Sequence, residues 1–153
     1  MSIQTTEQRH TLASDRIDAR GPRFTAALTA IVLIAVLSLP TASATALVAV
    51  QAVLFAVGAM AGVQHTPTAW VFRRLVRPHL TGTPTWEDPQ PPRFAQAVGL
   101  VFALASLVGF VTGLLPLALG AAGLALVAAL LNALFGFCLG CEMYLLRART
   151  TTR

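Results

Sequence analysis

FTAALTAIVLIAVLSLPTASATALVAVQAVLFAVGAMAGVQHTPTAWVF, residues 24–72, and FAQAVGLVFALASLVGFVTGLLPLALGAAGLALVAALLNALFGFCLGC, residues 94–141, decide the fold, because neither contains an Arg, Lys, Asp or Glu. A helix crossing a hydrocarbon core of ~30 Å needs about 20 residues, so each tract holds two spans. A soluble bundle would carry charge on the outer faces of its helices, and these tracts are apolar all round. Turn chemistry divides them: Pro40 with Thr41, Ser43 and Thr45 in the first, and Gly113 through Pro116 to Gly120 in the second. Spans are expected near 24–39, 45–64, 94–114 and 118–146.

Working outward, all eleven cationic side chains are arginines, and they lie with every acidic residue in 1–23, 73–93 and 142–153. Burying one such charge at the bilayer centre costs roughly 2.5–3.5 kcal/mol even on a lenient scale. The positive-inside rule then puts both termini and the central segment in the cytosol, with the spans in the cytoplasmic (inner) membrane. The expected organisation is a tail (1–23), a first hairpin (24–72), a loop with an interfacial start (73–93), a second hairpin (94–146) and a tail (147–153). The net charge of +5 and pI near 11.0 match an anionic leaflet and do not call for nucleic acid. The Arg-bearing start, the apolar run to Leu39 and Ala42-Ser43-Ala44 also mimic a secretory signal, but the start is mixed in sign and its entry motif recurs inside the chain.

That recurrence pairs Asp18-Ala19-Arg20-Gly21-Pro22-Arg23-Phe24 with Asp88-Pro89-Gln90-Pro91-Pro92-Arg93-Phe94, Asp, Pro, Arg and Phe each returning 70 residues later. The predicted architecture is an all-α membrane protein of four transmembrane helices, forming two same-orientation hairpins as a parallel internal repeat. Gly58 with Gly62, Gly109 with Gly113 and Gly136 with Gly140 have the Gly-x-x-x-Gly spacing of close helix approach, within the chain or in a homo-oligomer. Asn132 and Gln51 read as interhelical hydrogen-bonding groups, with a substrate-lining role as the sharper alternative. Trp70, interleaved with Arg73, Arg74 and Arg77, reads as a membrane-interface anchor, and Arg23 and Arg93 as arginines reaching headgroups. Residues 81–92 read as an irregular loop.

Cys138 and Cys141 are the only cysteines, spaced Cys-x-x-Cys. On a continuous fourth helix they share a face and can pair or meet one acceptor. They would lie late in that helix and beside Glu142, where dipole and carboxylate both favour the neutral thiol, and in a reducing cytosol the dithiol would be the resting form. Packing in a crowded helix is the rival reading. A zinc site would need four ligands with only His65 and His79 to add, and His10 falls in the polar tail, so no metal and no cofactor is expected. No phosphate loop, Ser/His/Asp set or carboxylate pair is present to support a kinase or hydrolase.

Arg20-Gly21-Pro22-Arg23-Phe24, Glu87-Asp88-Pro89 through Pro92-Arg93-Phe94-Ala95-Gln96-Ala97-Val98-Gly99, and Asn132 through Phe135-Gly136-Phe137-Cys138-Leu139-Gly140-Cys141-Glu142-Met143-Tyr144 resemble the bacterial membrane family known as domain of unknown function 4395. The resemblance implies a four-helix membrane protein with an unassigned role, in a family associated with genes for thioredoxin-like and sulfurtransferase proteins. Cys141-Glu142-Met143-Tyr144 is also similar to the Cys-Pro-x-Tyr ending of membrane hairpins attached to rhodanese domains, with Glu in place of Pro. The expected function is a membrane dithiol protein passing electrons or sulfur to such a cytosolic partner, with Cys141 as the exposed thiol and Cys138 resolving. A non-catalytic assembly subunit is the competing class.

Overall fold

The computed structural model describes residues 16–151; His10 and most of the N-terminal tail lie outside them. Among the described residues are α1 (Arg20–Ser38), α2 (Thr41–Met60), α3 (Pro67–Val71), α4 (Gln90–Thr112), α5 (Leu115–Phe135) and α6 (Leu139–Thr151), with two short strands, β1 (Ile17–Asp18) and β2 (Trp86–Glu87). Helices α1, α2, α4 and α5 are long and apolar enough to cross a membrane. In none of them is more than 33 % of the apolar window buried inside the protein. Ile31, Val53, Val101, Val111 and Leu124 all face outward, which an aqueous surface does not tolerate on this scale and lipid does.

The spans begin earlier than their apolar tracts. Proline sits within the first turn, where its missing N–H is not needed, so Pro22 belongs to α1 and Pro91 and Pro92 to α4. Each start is held by an aspartate two residues upstream: Asp18 Oδ1 accepts from the Arg20 N–H (3.1 Å) and Asp88 Oδ1 from the Gln90 N–H (2.8 Å). The arginine one turn further on reaches across the bundle. Arg23 donates to the carbonyls of Ala133 (3.4 Å) and Leu134 (3.3 Å) at the end of α5, and Arg93 to those of Ala59 and Met60 (both 2.7 Å) at the end of α2. A cation on the last carbonyls of a helix satisfies acceptors that have no intrahelical partner.

The fourth span does not run from 118 to 146. It stops at Phe135, where Gly136 takes φ 69°; the Gly136 N–H bonds to the Asn132 carbonyl and the Phe137 N–H folds back to that of Leu131 (3.3 Å). The first of these bonds is that of an αL ending, with glycine supplying the left-handed residue. The three glycine pairs therefore do not act as matched packing pairs. Gly58, Gly109 and Gly140 lie at close approaches; at Gly109 a Cβ would stand 2.5 Å from the Ala118 backbone nitrogen. Gly62, Gly113 and Gly136 have positive φ and end helices.

Helix α1 packs mainly on α5, and α2 on α4, with the two hairpin contacts closing a four-helix ring. The main core collects Leu33, Val36, Ala44, Val48, Phe110, Ala118 and Ala122, all near the interhelical turns at the end away from the arginines. There Ser106 Oγ donates to the Ala118 carbonyl (2.9 Å). Towards the arginine-bearing end, larger and more polar side chains enter. Gln51 donates to Thr29 Oγ1 (3.5 Å), the interhelical bond its position predicts.

The segment joining the hairpins is ordered. Thr66 caps α3, a π turn (Phe72–Val76) and a 3-10 turn (Arg77–His79) follow, and Phe72 is buried against Phe24 (ring centroids 5.8 Å apart) and Gly21. Residues 81–92 are not wholly irregular. Trp86 and Glu87 pair antiparallel with Asp18 and Ile17, so the residues just before α1 are tied to the central loop. Trp70 stays exposed with Arg74 stacked on its ring (5.7 Å), while Arg77 stacks on Trp86 (5.5 Å) and Arg73 donates to the Gln64 carbonyl (2.7 Å).

Candidate functional site

The end of α5 places the cysteines in a local setting that a continuous helix would not provide. After Gly136 the chain has no regular secondary structure through Phe137 and Cys138, then restarts as α6, and the Glu142 N–H bonds to the Cys138 carbonyl (3.0 Å) as the first turn closes. The pair thus lies at the start of a helix, not late in one. The Cys141 N–H points at Cys138 Sγ (3.3 Å), so that sulfur faces the first turn of α6 and not the last turn of α5.

Cys138 and Cys141 are joined as a disulfide, with Cα atoms 5.2 Å apart, inside the range a disulfide bridges without moving the backbone. Both side chains are half-buried. Helix α6 is fixed in place by α4: a Cβ on Gly140 would lie 2.6 Å from Ala95 Cα, and Tyr144 packs on Phe94 with ring centroids 5.9 Å apart. The pair therefore sits on a rigid joint.

Cys138, and not Cys141, borders a cavity of about 680 Å³ in the arginine-bearing half of the bundle. Its inner wall is apolar, with Phe55, Phe102, Ala125 and Ala129, and Gly99 makes room for the Phe55 ring. Four uncharged polar side chains interrupt that wall: Thr25, Thr29, Gln96 and Asn132. Sequence reading singled out Asn132 as a packing group and missed the other three. No run of residues marks the set, since the four come from three helices and meet only through packing register. At the outer mouth stand Asp18, Arg73, Arg77 and Gln64, whose Oε1 is buried with no hydrogen-bond partner among the described residues.

Asp18 closes part of this mouth, 3.0 Å from Arg20 and 3.9 Å from Arg77. Burial pushes its carboxyl up, but hydrogen bonds from the Arg20 side chain and N–H, with the charges of Arg20 and Arg77, outweigh burial and hold it below the ordinary carboxylate value. His65 and His79 each hydrogen-bond a carbonyl of their own turn, to Ala61 and Leu75 (both 2.8 Å). Among the described residues no three His, Cys, Asp or Glu side chains converge as a metal site would require.

Residues 17–149 match the family described as Domain of unknown function (DUF4395). The chain belongs to this family. No curated protein and no solved structure matches it, so the likeness of Cys141-Glu142-Met143-Tyr144 to rhodanese-associated hairpins finds no support. The DUF4395 match runs from β1 to within α6, taking in the aspartate–arginine starts, the cavity and the Cys-x-x-Cys joint together.

Proposed function

We propose that this DUF4395 protein is a membrane dithiol–disulfide protein, its Cys138–Cys141 pair exchanging electrons with a cytosolic thioredoxin-like protein, or sulfane sulfur with a sulfurtransferase. The observation that carries the proposal is the Cys-x-x-Cys pair at the start of α6, where the Cys141 amide faces Cys138 Sγ. That setting makes Cys138 the attacking sulfur and Cys141 the resolving one, the opposite order to the one expected for a continuous helix. The Cys138 thiolate attacks the partner's disulfide, forming a mixed disulfide and releasing one partner thiolate. Cys141 then attacks Cys138 Sγ, the intramolecular disulfide forms, and the second partner thiolate leaves. Two electrons pass to the partner, which is reduced as the pair is oxidised; the same steps in reverse let a reduced partner return the disulfide to the dithiol.

Trapping tests this directly. In Cys141→Ser the mixed disulfide cannot be resolved, so a thioredoxin-like partner accumulates covalently on Cys138. The proposal fails if no adduct forms and neither thiol changes its alkylation state under oxidant or sulfur donor. One observation favours a rival: the pair ties the segment before α6 to the first turn of α6, as a structural staple for an assembly subunit would. That reading requires a stable partner to co-purify equally with wild type and with Cys138→Ser/Cys141→Ser.

The proposal places the arginine-bearing end, and both termini, in the cytosol of a bacterial inner membrane. The shared Asp–Arg starts of α1 and α4 support a further part of it, that the two hairpins are duplicated units related about an axis along the membrane normal.

A further inference from the structure

We infer that the cavity beside Cys138 binds a lipid-soluble quinone, which accepts the two electrons of the dithiol. The inference rests on the dithiol reading above and names the membrane-side reactant of that same pair. A cavity of about 680 Å³ falls within the range of about 300–1,000 Å³ typical of small-molecule sites and is far too small for a protein domain. It reaches Thr29, nine residues into α1 and so about 13 Å along the helix, which is well inside a span. A soluble anionic thiol would need a cation at that depth, and the inner wall has none.

The wall instead supplies what a quinone ring needs: flat apolar surfaces from Phe55 and Phe102, and the amides of Gln96 and Asn132, which hydrogen-bond no described residue. These N–H groups can donate to ring carbonyls whose oxygens gain charge on reduction. An acyl chain would leave both amides unpartnered. Leu124 and Val127 line the cavity and are themselves 61 % and 54 % exposed, so the space is open along α5, where an isoprenoid tail can leave for the bilayer.

The chemistry balances without another reactant. The Cys138 thiolate adds to the ring, forming a carbon–sulfur bond; Cys141 attacks Cys138 Sγ, the disulfide forms and the carbon–sulfur bond breaks. The electron pair of that bond stays on the ring, which takes up the two thiol protons and departs as quinol.

The full chain in lipid nanodiscs, reduced and freed of reductant under anaerobic conditions, provides the test, with decylubiquinone as the probe. Quinol is followed by absorbance and the cysteines by alkylation mass shift. The expected result is one quinol per Cys138–Cys141 pair oxidised, and none in Cys138→Ser. Ala128→Phe fills the cavity and Asn132→Leu removes a donor; each is expected to lower the ratio of quinone rate to diamide rate about tenfold, equivalent to ~1.4 kcal/mol of lost binding. Taking the ratio to diamide, a small water-soluble oxidant, corrects for damage to the pair itself. Oxidation by diamide but not by the quinone overturns the inference and leaves the dithiol reading standing. Quinol formation with an unchanged ratio in both variants also overturns it, since the quinone then reacts outside the cavity. Resistance to diamide, quinone and oxidised thioredoxin alike removes both.

Discussion

Gly136 holds the left-handed conformation that lets the chain leave α5 and start α6, so it sets where Cys138 points. An alanine there carries a Cβ against its own carbonyl, at a cost of about 1–2 kcal/mol. Gly136→Ala is therefore expected to lower the unfolding midpoint in detergent and to reduce the fraction of chains in which oxidant closes the Cys138–Cys141 bond; a mass shift after alkylation measures the second effect. The signal for this ending was present in the sequence, as a glycine after a long apolar run with an apolar residue behind it. It was obscured because Gly136 and Gly140 also have the spacing of a packing pair, and spacing alone cannot say whether the helix continues between them. The same ambiguity put the cysteines at the wrong end of a helix.

Among the elements, the aspartate-anchored starts make the clearest energetic claims. Arg93 makes two hydrogen bonds to the terminal carbonyls of α2, and hydrogen bonds to charged groups contribute about 1.5–3 kcal/mol. Arg93→Met keeps the apolar stem and should destabilise the protein by about that amount, seen as faster amide exchange at the end of α2. The β1–β2 tie responds to acid. Because the Asp18 carboxyl is held below its ordinary value, its contribution is complete at neutral pH and is lost as pH falls from the ordinary carboxylate range through the lowered value. Exchange of the Ala19 N–H, bonded to the Thr85 carbonyl (2.9 Å), should accelerate over that acid window in wild type and be fast at all pH values in Asp18→Asn. The number of spans was legible from charge segregation alone, since no other feature competes with it. Their starts were placed late, at Phe24 and Phe94 where the charge-free tracts begin, although α1 and α4 start at Arg20 and Gln90 with their prolines in the first turn.

For the molecule as a whole, four outward-facing apolar helices require lipid or detergent; extraction with buffer or high salt should leave the protein in the membrane fraction. Under the proposed orientation, protease added outside intact cells should spare residues 81–92, and cleavage there would reverse the topology. The cavity was illegible beforehand. Thr25, Gln96 and Asn132 sit on different helices, and nothing in a linear pattern states which polar residues of an apolar span will meet. The position of the core beyond Leu33 and Val48 has one more consequence. One end of the bundle is filled by apolar side chains, while at the other the helices are held by arginine and strand ties around a cavity, so an occupant of that cavity meets walls joined by polar links and a floor of solid packing.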